Sequence, residues 1–138
     1  MSHPYDLTED PRPKLGLLVL QVDETIEDDL SRLIPRELAR LHVVRLPSGA
    51  ALSPDTIAEM KHSLPSAAGL LPPAVGFDVI GYGCTSGTTL IGADQVAALV
   101  GSTARTQAVT DPLTAALAAT KTLGIDRLGI VSPYIASV

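Results

Sequence analysis

A chain of 138 residues is long enough for one domain with its own hydrophobic core, without disulfide or metal staples. Its 46% apolar share holds no Trp and a single Phe, so Leu, Val, Ile and Ala must build the core, which favours aliphatic strands covered by Ala-rich helices. A net charge of −5 without any basic run argues against nucleic-acid binding. No apolar run reaches the roughly 18 residues a bilayer span needs, and a lone cysteine excludes an internal disulfide.

Residues 1–13 are polar and acidic, with Pro4, Pro11 and Pro13, and read as a surface arm. They contain no apolar core of the signal-peptide kind, so the expected compartment is the cytoplasm. Lys14–Leu20 is a short continuous apolar run, the pattern of a parallel strand covered on both faces. Ile26, Leu30, Leu33 and Ile34 then recur at helical spacing, and Glu27, Asp28 and Asp29 suit the first turn of that helix; Pro35 breaks it.

Leu41–Leu46 reads as a second strand. Ser53-Pro54-Asp55 starts a helix with a hydroxyl cap, a proline at the first helical position and an acid in the first turn. Ile57, Met60 and Leu64 give it an apolar face, and Pro65 is expected to end or bend it. A third strand, Phe77 to Tyr82, leads to Gly83-Cys84-Thr85-Ser86-Gly87, which opens a helix. A short helix over Ala93–Val100 and a weak strand over Thr106–Val109 follow. Asp111-Pro112 caps another helix, with Leu113, Ala116, Leu117 and Thr120 on one face and Gly124 as its stop. Arg127–Ser132 reads as a fifth strand. Alternating strands and helices predict an α/β fold, a parallel sheet with right-handed crossovers and helices on both faces.

Arg127-Leu128-Gly129-Ile130-Val131 resembles Lys14-Leu15-Gly16-Leu17-Leu18. The match has two readings. Basic-Leu-Gly-aliphatic is a common way into a parallel strand, or residues 127–138 restart the pattern as the first strand of a second lobe, with 14–126 forming the first.

Cys84 lies where a strand delivers its carboxyl end, the place where open parallel sheets bind ligands. The hydroxyls and close-set amides of the following turn suit an anion and favour a thiolate. The plain alternative is a buried cysteine acting as a small hydrophobe. A Cys-x5-Arg phosphatase loop would need arginine where Leu90 stands. Gly81, Gly83 and Gly87 are one residue off a dinucleotide fingerprint and follow the wrong strand. The turn has no Walker lysine, and Ser86 lacks the upstream glycine of a nucleophile elbow. His3, His42, His62 and Cys84 have no metal-ligand spacing.

Gly83-Cys84-Thr85-Ser86-Gly87 after Val-Ile-Gly-Tyr, together with Leu15–Val19, Thr25-Ile26-Glu27 and Ser132-Pro133-Tyr134, resembles the aspartate/glutamate racemase superfamily. The branch resembled is that of maleate cis-trans isomerases and arylmalonate decarboxylases, with their relatives of ectoine breakdown. The resemblance implies a flavodoxin-like lobe of a pseudo-symmetric two-lobed fold that works without a cofactor. It implies that Cys84 is the first-lobe catalytic thiol, that Thr85 and Ser86 bind a substrate carboxylate, and that Tyr134 donates to the same or a second carboxylate. The implied activity is isomerisation or racemisation of a small (di)carboxylate. Decarboxylation or an ectoine-related reaction is the alternative within the superfamily, and a non-catalytic carboxylate-binding module is the alternative outside it. The decarboxylases carry glycine where Cys84 stands, which argues for the isomerase. Asp23 occupies the position of a substrate-contacting asparagine; it either faces the substrate or caps the helix. The expected partners are the small carboxylate and copies of the same chain in a homo-oligomer, a dimer, with no nucleic acid and no membrane.

Overall fold

A computed structural model of the chain describes residues 4, 8, 10–49, 53–132 and 134. In chain order these form β1 (Lys14–Leu20), α1 (Ile26–Leu33), β2 (Arg40–Leu46), α2 (Pro54–Ala68), β3 (Phe77–Tyr82), α3 (Thr85–Ile91), α4 (Ala93–Gly101), β4 (Thr106–Thr110) and α5 (Pro112–Thr122). All pairings are parallel, and the strand order is β2-β1-β3-β4. This is the flavodoxin-type order. Its crossovers turn one way from β1 to β2 and the other way from β3 to β4, which opens a crevice past the carboxyl ends of β1 and β3. Right-handed crossovers put α1 on one face and α2 and α4 on the other.

The core forms because the strands are aliphatic on both faces. Leu17, Leu18 and Val19 of β1 are all buried, as a central parallel strand requires. Leu18, Leu46, Ile80 and Tyr82 meet Ile57, Met60 and Leu64 of α2 and Val96 and Val100 of α4 in one cluster. Phe77, the single phenylalanine, closes its lower end, edge-on to His42 with ring centres 5.4 Å apart. Burial and the nearby Arg40 push the His42 imidazole below its ordinary value.

Caps read from the sequence do form. Ser53 Oγ accepts from the Thr56 amide at 3.2 Å, and Thr56 Oγ1 accepts from the Ser53 amide at 3.0 Å, a reciprocal capping box. Asp111 Oδ1 accepts from the Thr114 amide at 2.8 Å and starts α5. Helix α1 ends before Pro35, as expected.

The structure corrects one expected element and sharpens two. Of the two outcomes expected at Pro65, an end to the helix does not occur: α2 runs through it to Ala68. The lost amide bond is outweighed there by burial on both sides of the proline, at Leu64, Ala67 and Ala68. The apolar face expected on α5 is uncovered: the helix has no buried residue, and Leu117 is 62% exposed. Arg127–Ser132 is not a strand. Ile130 is 82% exposed and Val131 stands fully in solvent, and the segment pairs with no strand of the sheet although β2 and β4 are both edge strands. Pro133 and residues 135–138 of the expected second-lobe segment, and most of the N-terminal arm, lie outside the described residues. No helix among the described residues is long and apolar enough to cross a membrane.

Candidate active site

Strand β3 ends at Tyr82, and Gly83 carries the chain on to Cys84 at the crevice between β1 and β3. The Gly83 amide donates to Leu18 O at 2.9 Å, which extends the β1 ladder one step past the strand. A Cβ at Gly83 would stand 2.8 Å from Ile26 Cδ1 and 3.3 Å from Leu18 O, so only glycine lets α1 close this tightly on the end of β3.

Cys84 is the N-cap of α3, and its sulfur takes the place of the usual cap oxygen. Sγ accepts from the Gly87 amide at 3.2 Å, and Ser86 Oγ lies 3.6 Å from it. Thr88 Oγ1 donates to Cys84 O at 2.8 Å and fixes the backbone from the other side. Cys84 is 4% exposed and Ser86 5%. The Cys84 sulfur takes the Gly87 amide, while the first-turn amides of Thr85 and Ser86 have no intrahelical acceptor.

A cleft of about 400 Å³ opens at this point. Cys84, Thr85, Ser86, Asp23 and Tyr134, each singled out from the sequence, all line it. Leu20, Val22, Gly83 and Met60 add to the wall, and so do Ser48 and Gly49 from the segment after β2. Larger clefts run along residues 47–63, about 590 Å³, and along residues 12–43, about 790 Å³, but neither holds the thiol. No group of three or more His, Cys, Asp or Glu among the described residues could hold a metal ion.

Asp23 lines the cleft and also holds the start of α1. Its Oδ1 accepts from the Thr25 and Ile26 amides, each at 2.9 Å. Those bonds, Ile26 first and then Thr25, hold its carboxyl below the usual range, with a smaller pull from Arg45. Arg45 Nη1 also donates to Asp23 O at 2.7 Å, and its Nη2 pairs with Glu27 at 2.9 Å, tying β2 to the β1–α1 turn. Tyr134 is 43% exposed at the rim, and its amide donates to Ser132 Oγ at 3.1 Å.

The sequence reading missed Ser48 and Tyr82. The Ser48 hydroxyl is buried and has no hydrogen-bond partner among the described residues, although it borders the cleft. Tyr82 is fully buried beneath Cys84, and its hydroxyl is likewise unpartnered. Neither has a local motif: Ser48 lies in a polar turn and Tyr82 reads as one more apolar strand residue.

No family model matches the chain, and no curated protein matches it in sequence. Among solved structures it matches the maleate isomerase Iso from Pseudomonas putida S16, with a TM-score of 0.67 over 89% of this chain. The chain shares its fold with about half of that structure. Sequence identity with Iso is 22%, and the match covers 54% of Iso, so this chain spans about half the length of that structure. The parallel α/β architecture expected from the residues is thus shared with part of that structure.

Proposed function

We propose that this chain belongs to a cofactor-independent isomerase of a small dicarboxylate, with maleate as the substrate type and the Cys84 thiol as nucleophile. The observation that carries the proposal is the position of Cys84, which lines the switch-point cleft together with the hydroxyl-bearing residues Thr85, Ser86, Ser48 and Tyr134. In this reading one carboxylate takes the Thr85 and Ser86 hydroxyls and first-turn amides. The other reaches Tyr134 and the unpartnered Ser48 hydroxyl.

The chemistry needs only a thiolate and held carboxylates. Sγ adds to one alkene carbon, forming S–C, and the π pair moves to the adjacent carbon, where that carbon's carboxylate delocalises it. The former double bond is now single and rotates. The pair then returns, S–C breaks, and the trans isomer leaves with no net proton or electron exchanged. Hydrogen-bond donors around the delocalising carboxylate stabilise charge where it develops.

Asp23 supports a second reading within the same chemistry. Its anionic carboxylate in the cleft favours a substrate with a cationic nitrogen at that end over a second carboxylate. The deciding experiment is fumarate formation from maleate by the purified protein and by Cys84→Ser. The proposal expects turnover that falls to background in the variant; equal rates would overturn it.

A further inference from the structure

Beneath the sulfur lies a group that the reaction as described does not use. Tyr82 belongs to β3, two residues before Cys84, so alternation points both side chains to the same face of the sheet. Its ring is fully buried in the core cluster, yet its hydroxyl meets no acceptor in hydrogen-bond geometry. A buried phenol normally finds a partner, because leaving one unpaired costs the desolvation of the O–H.

What the hydroxyl does border is a small space that the sulfur also borders. A Cβ built at Gly87 would run into Tyr82 Oη and come within 2.9 Å of Cys84 Sγ, so the two atoms border the same small space, kept open only because residue 87 has no side chain. A thiol is a weak acceptor and a thiolate a charged one, so an ionised sulfur would hold the phenol far more strongly.

We infer that Tyr82 is a positioning residue whose hydroxyl is held in reserve for the ionised Cys84, donating to the thiolate from the core side while the Gly87 amide donates from the helix side. The thiolate then carries two buried donors and still presents a lone pair to the cleft. Burial, followed by the charge of Cys84, pushes the phenol far above its ordinary value, so it stays a donor wherever the thiolate exists. This role rests on Cys84 being the nucleophile.

The test reads the thiolate directly, by its ultraviolet absorbance near 240 nm against pH, in wild type, Tyr82→Phe and Cys84→Ser. Cys84→Ser supplies the baseline without a thiolate. Tyr82→Phe deletes only an unpartnered oxygen, and the midpoint of the thiolate step is expected to rise by about one pH unit, a ~10-fold loss of thiolate below the midpoint. As a second arm, a Tyr5→Phe, Tyr134→Phe chain produced with 3-fluorotyrosine carries the more acidic donor at residue 82 alone, takes Cys84→Ser in the same background as its baseline, and should lower the midpoint. Unmoved midpoints in both arms, or no thiolate step in the wild type, overturn the role. The readout needs no turnover: a midpoint shift in a protein that leaves maleate unchanged upholds Tyr82 and sinks the isomerase reading. Maleate turnover with unmoved midpoints does the reverse.

Discussion

The Gly87 amide donates to the Cys84 sulfur at 3.2 Å, so the one thiol of the chain is also the cap of the helix that follows it. Chemistry and folding therefore share an atom, and substitutions at Cys84 separate them. Serine keeps a cap acceptor and alanine does not. Cys84→Ala should lose on the order of 1 kcal/mol of stability, the usual cost of an N-cap, while Cys84→Ser stays close to wild type. Urea denaturation of the two variants measures the difference. Both should lose thiol-dependent turnover alike.

Gly87 is held to glycine by the same geometry. Helix propensity alone would favour alanine there by up to about 1 kcal/mol. Against that, the new methyl would enter the space shared by Tyr82 Oη and Cys84 Sγ, and both neighbours are buried and fixed by their own strands and caps. Overpacking of about 1–3 kcal/mol decides the sign, so Gly87→Ala should lower the melting temperature. It should also slow alkylation of Cys84 relative to wild type. A melting temperature at or above the wild-type value would mean that the pocket beneath the sulfur can yield.

Strand and helix positions were legible because they rest on local pattern. The continuous run Lys14–Leu20 gives a doubly covered strand, and Ser53-Pro54 and Asp111-Pro112 give helix starts whose caps form as read. The cysteine turn was legible for the same reason, since Gly83, Gly87 and the hydroxyls between them are contiguous. The departures are all tertiary. Pro65 stays helical because Leu64, Ala67 and Ala68 bury around it. Arg127–Ser132 has strand composition yet pairs with neither edge strand of this sheet and stays exposed. Strand order was not readable, and it alone brings Asp23 after β1 beside Cys84 after β3. Ser48 and Tyr82 stand out only through hydroxyls that lack a partner, a property of the folded chain.

Ser48 tests whether the unpartnered hydroxyl in the cleft wall is there for a ligand. Its removal costs the fold no hydrogen bond among the described residues, so Ser48→Ala should match or slightly exceed wild-type stability. If the hydroxyl serves the far carboxylate, the variant should bind dicarboxylates roughly 5- to 10-fold more weakly, the worth of about 1 kcal/mol or a little more. Titration with maleate or a saturated analogue measures this. Unchanged affinity would remove Ser48 from the site.

Asp23 carries two effects that two substitutions pull apart. Its folded carboxyl lies below the ordinary Asp value near 3.9, so its contribution to stability is present above that pH and is lost as pH falls through the lowered native value. Asp23→Ala, which removes the acceptor of the Thr25 and Ile26 amides, should therefore melt below wild type at pH 7, and the two curves should converge in strong acid. Asp23→Asn keeps an acceptor oxygen for those amides and removes the charge, so its stability at pH 7 should fall by less than that of the alanine variant. Its effect on substrate has the opposite sign. A carboxylate lining the cleft repels a dianion by an amount on the order of 1 kcal/mol at water-like dielectric, more where solvent is excluded. Asp23→Asn should accordingly lower the KM for maleate several-fold, with the gain shrinking as salt is raised. A rise in KM for maleate instead would mean that the Asp23 carboxylate contributes more by shaping the cleft than it costs by repelling the dianion.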